Sequence, residues 1–183
     1  MHNLDLFLTS AINNFAGTNA AIDVIMISAT YFGVPSMVLW TVLQWWTQDN
    51  RPYRRHVAVS TGLSFILGLL LNQIILLFVH RIRPYDAGIT SLLISSTTDP
   101  SFPSDHATAS FAICFGFLLN RLKREGLVLA IAASLIGFSR VYVGAHYLTD
   151  VIGGMLTALI SSLLVIRFYN FGSRIDLLLT RLF

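Results

Sequence analysis

Residues 127–168 read LVLAIAASLIGFSRVYVGAHYLTDVIGGMLTALISSLLVIRF, two apolar runs with an arginine, a histidine and an aspartate around their junction. A helix that crosses a bilayer needs about 20 mostly apolar residues. The runs at 127–144 and 150–168 therefore predict two membrane-spanning helices. Three similar runs precede them, at 20–46, 57–80 and 106–120. We predict an all-α fold, a polytopic membrane helix bundle of about five transmembrane helices, forming a single domain over 1–183.

The composition supports lipid as the main solvent of this chain. Hydrophobic residues make up 55% of the 183 residues and charged residues only 11%, whereas about a quarter of the residues in soluble domains are charged. The net charge of +3 does not indicate a nucleic-acid partner, because the sequence has no solvated basic stripe for a phosphate backbone. The single cysteine, Cys114, lies in an apolar run and is expected to serve packing.

The N-terminal segment has a different pattern. Residues 3–16 place apolar side chains near helical spacing with polar residues between them, at Leu4, Phe7, Leu8, Ile12 and Phe15. This pattern predicts a short interfacial helix that lies on the membrane. The stretch 172–183 is a second candidate for such a helix. The first twenty residues contain no Lys or Arg, so we expect no secretory signal peptide.

The basic residues predict the orientation of the bundle in the cell membrane. With five spans, nine of the twelve Lys and Arg share one side: Arg51, Arg54, Arg55, Arg121, Lys123, Arg124, Arg167, Arg174 and Arg181. The other side has Arg81, Arg83 and Arg140. Because cytoplasmic loops carry the excess of Lys and Arg, we predict a multi-pass protein whose N-terminus and second set of residues lie on the outer face.

Three stretches concentrate polar and ionisable residues on that outer side. They are 80–84 (HRIRP), 101–106 (SFPSDH) and the region from Ser139-Arg140 to His146 and Asp150. Ionisable groups at the ends of spans are costly and indicate function. Convergence of three loops at one membrane face therefore predicts an active site within 81–150.

Two arginines and one helix start suit the binding of an anion. Arg83 and Arg140 carry permanently charged guanidinium groups that can bind phosphate oxygens in pairs. Pro103 and Ser104 have the residue types of a helix start, where free backbone N–H groups and the helix dipole favour an anion. Arg81 is a further candidate, although it could instead extend to the interface without binding substrate.

Two histidines suit phosphoryl transfer. His146 and Asp150 are four residues apart, so a carboxylate could accept the Nδ1 proton of the imidazole if the last span begins just before Asp150. That contact would activate His146 as a nucleophile or as a base. His106, beside the predicted helix start, could protonate a leaving oxygen. We expect His2, His56 and His80 to be structural.

A metal site is the rival interpretation. A zinc ion could in principle be bound by four side chains: His80, His106, His146 and Asp105. Two arginines pointing into the same pocket would oppose a dication unless substrate phosphate lay between them. We therefore predict neither a metal nor another cofactor.

The order of these motifs resembles the type 2 phosphatidate phosphatase superfamily, which includes lipid phosphate phosphatases and vanadium-dependent haloperoxidases. The similarity covers roughly 57–165. The resemblance implies that His146 is the nucleophile that forms a phosphohistidine, that Asp150 orients it and that His106 is the general acid. It further implies that Arg83, Arg140 and the Ser104 region hold the phosphoryl oxygens without a metal.

Within that superfamily, the runs 102–106 and 139–147 look most like the bacitracin-resistance type of undecaprenyl diphosphate phosphatase. The broader family begins its first motif with a lysine seven residues before the arginine, and Leu76 stands there in this chain. The bacitracin-resistance group also tends to lack that lysine. Whether Arg81 supplies the missing charge is left open by the sequence.

The predicted function is hydrolysis of undecaprenyl diphosphate to undecaprenyl phosphate and phosphate. The alternative substrate is phosphatidylglycerophosphate or phosphatidate. Two non-enzymatic alternatives are a transporter or channel lined by the charges and a membrane scaffold. The His146–Asp150 pair disfavours the transporter, and a scaffold leaves the outer charge cluster unexplained. The sequence pattern does not indicate which oligomeric state the protein adopts.

Overall fold

The computed structural model describes residues 2–180, and all regular elements within that range are helical. The all-α class is confirmed. The helices are α1 (His2–Asn13), α2 (Ala20–Leu43), α3 (Arg51–Leu76), α4 (Asp105–Leu119), α5 (Lys123–Tyr142), α6 (Leu148–Phe168) and α7 (Arg174–Thr180). A 3₁₀ turn at Gln44–Trp46 extends α2. The last residues of the predicted C-terminal stretch, 181–183, lie outside the described range.

Within residues 2–180, four helices are long and apolar enough to cross a membrane: α2, α3, α5 and α6. The third predicted span is α4, which has only 15 residues and a length of about 22 Å. It packs against α3, α5 and α6 at the centre of the bundle. Its Ile113 and Phe117 are almost fully buried in the main hydrophobic cluster. Because its neighbours cover it, α4 does not need the length of a lipid-exposed helix.

Two helices start before the predicted spans, and α3 ends at Leu76 rather than at residue 80. The helix α3 begins at Arg51 rather than at residue 57, with a proline in its first turn, and α5 begins at Lys123 rather than at residue 127. Basic residues that were expected in loops therefore form the first turns of helices. Proline fits a first turn because its missing N–H has no intrahelical partner there.

The chain runs back and forth between two ends of the bundle. At one end Arg54 forms an ion pair with Glu125 at 3.1 Å, and His56 lies 2.8 Å from Asp176. At the other end the segment 77–104, the N-terminus of α4 and the connection from α5 to α6 meet. The helix α1 also docks at this second end. The three motif-bearing stretches therefore occupy one end of the molecule.

Candidate active site

The imidazole of His146 is buried, and its two nitrogens have different surroundings. Nδ1 lies 2.8 Å from the carbonyl oxygen of Ser101. Because a carbonyl only accepts hydrogen bonds, this contact assigns the proton to Nδ1 and leaves the lone pair on Nε2. Nε2 lies 3.4 Å from Nη1 of Arg83. The histidine thus presents an unprotonated nitrogen beside a cation.

This arrangement differs from the sequence expectation in one respect. Asp150 was expected to accept the Nδ1 proton, and its Oδ2 lies 3.5 Å from Nδ1, farther than the Ser101 carbonyl. Since α6 begins at Leu148, His146 precedes the helix and does not share a helical face with Asp150. The tautomer is therefore fixed chiefly by a backbone carbonyl, with the carboxylate nearby.

Asp150 is fully buried and organises the loops around the histidine. Its Oδ2 accepts hydrogen bonds from the Ser101 hydroxyl and, at 2.9 Å, from the backbone N–H of Tyr147. Its Oδ1 lies 2.6 Å from Nη1 of Arg81. Ser101 thereby joins the two predicted partners, because its hydroxyl binds Asp150 while its carbonyl binds His146.

Arg83 is also buried and has three anchors besides its approach to His146. Its Nε donates to the backbone carbonyl of Asp99 at 2.9 Å, and its Nη2 pairs with the Asp99 carboxylate at 2.8 Å. Nη1 donates to the carbonyl of Ala145 at 3.0 Å. These contacts fix one edge of the guanidinium and hold Nη1 next to the imidazole.

Arg140 lies in the last turn of α5 and is only 6% exposed. Its Nε is buried and has no hydrogen-bond partner among the described residues. Its backbone carbonyl accepts the N–H groups of Ala145 and His146. A buried cation with an unsatisfied donor is costly, so this side chain is suited to an anion that supplies the missing acceptor.

A glycine allows the connection from α5 to α6 to turn tightly. Gly144 has a φ of +81°, a conformation in which side chains other than glycine are strained. A Cβ atom at this position would also collide with the carbonyl oxygen of Ser91. The turn brings His146 back over the end of α5, near Arg140.

The N-terminus of α4 completes this side of the site. Ser104 is the N-cap, accepting the Ala107 N–H at 3.5 Å, and its own N–H donates to the carbonyl of Asp150 at 3.1 Å. His106 lies in the first turn, close enough to interact electrostatically with Arg83, Arg140 and His146. The structure therefore brings together His106, His146, Arg83, Arg140 and Ser104, whereas Arg81 faces Asp150 and Asp5.

Burial governs the protonation of the central histidine. Removal of His146 from solvent lowers its pKa below the usual value, and the charges of Arg140 and Arg83 act in the same direction, while Asp150 opposes them. The neutral imidazole is thus favoured. Within residues 2–180, no group of three His, Cys, Asp or Glu side chains is arranged to hold a metal.

A profile of the PAP2 superfamily matches residues 57–174, the segment that carries every one of these loops. The chain belongs to the PAP2 superfamily. The similarity predicted from the motifs is therefore confirmed. The PAP2 match extends from within α3 to the start of α7, so it includes most of α3 and all of α4, α5 and α6.

Individual PAP2 proteins are similar over most of the chain. The undecaprenyl-diphosphatase BcrC of Bacillus subtilis is 36% identical over 166 residues, which are 91% of this chain and 83% of that protein. The crystal structure of a transmembrane PAP2-type phosphatidylglycerolphosphate phosphatase from Bacillus subtilis superposes with a TM-score of 0.70 at 22% identity, covering 94% of this chain and 88% of the other. Aquifex aeolicus LpxE superposes with a TM-score of 0.74 at 23% identity, covering 90% and 96%. Together with its apolar helices, these similarities identify this PAP2 chain as a multi-pass membrane protein.

Sequence reasoning missed several residues of this PAP2 site. Ser101 was noted within a polar stretch but was given no role. Asn72, a fully buried amide within α3, donates to Asp105 at 2.7 Å, and its position inside an apolar span was the available signal. Asp5 contacts Arg81 at 2.6 Å, and its four-residue spacing from Thr9 could have revealed a polar helix face.

Proposed function

We propose that this protein hydrolyses undecaprenyl diphosphate to undecaprenyl phosphate and inorganic phosphate through a phosphohistidine intermediate. The observation that carries the proposal is the environment of His146. Its Nδ1–H donates to a carbonyl, and its unprotonated Nε2 faces Nη1 of Arg83 at 3.4 Å. Such an imidazole is prepared to attack an electrophilic phosphorus held by the same arginine.

In the first step, His146 Nε2 attacks the terminal phosphorus of the lipid diphosphate. The new N–P bond forms as the bond from phosphorus to the bridging oxygen breaks, and the electron pair leaves on that oxygen. His106 donates a proton to the departing undecaprenyl phosphate. The imidazole becomes positively charged, and the nearby carboxylate of Asp150 stabilises that charge.

In the second step, water attacks the phosphohistidine. His106, now neutral, accepts a proton from the water as the P–O bond forms and the N–P bond breaks. Inorganic phosphate leaves and the neutral imidazole is restored. Arg83, Arg140 and the N-terminus of α4 hold the equatorial oxygens through both steps, because phosphoryl transfer depends on positioning and charge stabilisation. These groups supply the required charge without a metal.

The substrate assignment rests on the similarity to BcrC over 91% of this chain. A phosphatidylglycerophosphate phosphatase is the second candidate, and the superposition on a phosphatase of that description favours it. Both substrates present a terminal phosphate on a lipid at the membrane surface, so the same histidine chemistry serves either. The lipid attached to the phosphate distinguishes them.

The distribution of charge supports an active site on the outer face of the cell membrane. Of the eleven Lys and Arg within residues 2–180, eight lie at the end opposite the site, and cytoplasmic loops carry such an excess. A lipid diphosphate in the outer leaflet can then place its headgroup in the site while its tail stays in the bilayer. The enzyme would regenerate the carrier lipid for peptidoglycan synthesis.

The test is phosphate release by the purified protein from undecaprenyl diphosphate, phosphatidylglycerophosphate and phosphatidate, each with and without excess EDTA. We expect the highest kcat/KM for undecaprenyl diphosphate and no loss of activity with the chelator. A preference for phosphatidylglycerophosphate would select the second candidate. Absence of release from all three lipids would favour a transporter or channel, and activity restored only by added metal would exclude the mechanism above.

A further inference from the structure

The helix α1 has the reverse of the usual amphipathic arrangement. Its buried face is polar, formed by Asp5, Thr9 and Asn13 at four-residue intervals, each at most 6% exposed. Its apolar side chains Leu4 and Phe7 are 62% and 66% exposed. Hydrogen bonds and an ion pair at its polar positions therefore dock this helix, together with Ile12, which packs against the buried clusters around Val141 and Val143.

Each of these three buried residues binds the end of α5 or the start of α6, on either side of His146. The amide of Asn13 donates to the carbonyl of Tyr142 at 2.8 Å, at the end of α5. The hydroxyl of Thr9 accepts the N–H of Leu148 at 3.1 Å. The carboxylate of Asp5 accepts the N–H of Thr149 at 3.1 Å and its hydroxyl at 2.6 Å. The helix thus spans the connection from which His146 projects.

Asp5 differs from the other two residues because it also reaches Arg81. One terminal nitrogen of Arg81 lies 2.6 Å from Asp5, and the other lies 2.6 Å from Asp150. The guanidinium lies over the ring of Tyr147, 3.7 Å from its centre. One cation therefore bridges two buried carboxylates, and the second of them binds Ser101 and approaches His146.

We propose that Asp5 is a positioning residue of the active site, which acts through Arg81 to hold Asp150, Ser101 and His146 in their working arrangement. This inference rests on the proposed function. It also gives Arg81 a different role from phosphate binding, since both ends of its guanidinium are occupied by carboxylates. Hydrogen bonds from Thr149 and Arg81 outweigh the effect of burial and keep the pKa of Asp5 below its usual value, so the bridge is ionic at neutral pH.

The physical reason is geometric. With Asp5 in place, Arg81 is tied at both ends and the ring of Tyr147 limits its motion. Without the Asp5 carboxylate, the guanidinium has one charged partner and can rotate away from the geometry that Asp150 requires. Misplacement of a catalytic group by about 1 Å can lower the rate on the order of a hundredfold.

The test compares Asp5→Asn with Thr9→Val in the full-length protein. Thr9→Val removes a hydrogen bond on the same face of α1 but leaves the Arg81 bridge. We expect Asp5→Asn to lower kcat about 10- to 100-fold with KM within about threefold, because Asp5 does not touch substrate. We expect Thr9→Val to lower only the melting temperature. Asp5→Glu, which keeps the charge, should restore a large part of kcat.

A double-mutant cycle measures how strongly Asp5 and Arg81 depend on each other. It uses Asp5→Asn, Arg81→Gln and the variant that carries both changes. If the two residues act as one bridge, the double variant should lose no more kcat than Arg81→Gln alone. Additive losses would contradict the bridge, and a kcat for Asp5→Asn within twofold of the parent would overturn the proposal.

A spectroscopic measurement separates this inference from the proposed function. The Nδ1–H proton of His146, assigned with His146→Gln, should shift or broaden in Asp5→Asn and stay unchanged in Thr9→Val. If the parent releases no phosphate from any lipid, the proposed function fails, and an unchanged resonance in Asp5→Asn then rejects the positioning role as well.

Discussion

Nε2 of His146 lies 3.4 Å from Nη1 of Arg83, while Nδ1 of the same ring is 2.8 Å from the Ser101 carbonyl. The two contacts orient Nδ1 toward a backbone carbonyl and Nε2 toward the guanidinium of an arginine. A phosphate bound to Arg83 would therefore meet the nitrogen that has the lone pair.

His146→Ala should reduce phosphate release by several powers of ten while leaving the helical content unchanged, because removal of a covalent nucleophile eliminates the intermediate. The measurement is single-turnover hydrolysis with circular dichroism of the same sample. His80→Ala is the matched control, since His80 lies in the same region but is exposed, and it should retain activity. Activity of His146→Ala near that of the control would contradict the proposed intermediate.

Arg140→Met should lower activity about 10²- to 10³-fold, as expected when a charge that stabilises the transition state is removed. The same variant should unfold at a higher temperature by about 2–6 °C, because it replaces a buried donor without a partner by an apolar side chain of similar length. Vanadate should stabilise the parent and not the variant.

The exposed Arg174 provides the control for that experiment. Arg174→Met should change neither the activity nor the unfolding temperature. If Arg140→Met were destabilised in the absence of any anion, the guanidinium would have a structural partner in the empty site, and its assignment to substrate phosphate would be wrong.

The pH dependence of kcat/KM should show the effect of burial on His146. A protonated imidazole cannot attack phosphorus, and burial lowers the pKa of His146. The neutral form therefore persists as the pH falls, and the acid limb that reports this histidine should lie below pH 6.5, the usual histidine value. A limb centred above pH 6.5 in the free enzyme would show that Asp150 outweighs burial and the arginines.

Cysteine labelling should reveal the side of the membrane on which the site lies. In a Cys114→Ser background, Thr98→Cys should react with an impermeant thiol reagent added to intact cells, because the exposed position 98 belongs to the loop that carries Arg83. Gln48→Cys, exposed at the other end of the bundle, should react only after the cells are opened. Labelling in the opposite order would place the active site in the cytoplasm.

The sequence was sufficient to predict the helices and the convergence of the three polar stretches. Lipid as solvent requires apolar runs, so α2 to α6 are visible as runs in the sequence, and a buried charge stands out against such a run. The starts of α3 and α5 were less predictable, because Arg51 and Lys123 resemble loop residues and yet lie in first turns. Snorkelling lets such side chains occupy helix ends.

Contacts made by backbone atoms could not be predicted. The acceptor for His146 Nδ1 is the Ser101 carbonyl, whose position depends on the path of the whole 77–104 segment. No side-chain pattern encodes that path, and the four-residue spacing of His146 and Asp150 suggested a more direct contact. The role of Arg81 was hidden for a different reason, because the carboxylate of Asp5 that it binds is 76 residues away in the chain.

The orientation of α1 makes its docking dependent on the solvent around it. If the helix lifted away, Asp5, Thr9 and Asn13 would lose partners that hydrocarbon cannot replace, at a cost of several kcal/mol for each unsatisfied group. Water would replace those partners at little cost. We therefore expect α1 to stay docked where lipid covers it and to detach more readily where water reaches it, so that catalysis would depend on the solvent at the rim of the protein.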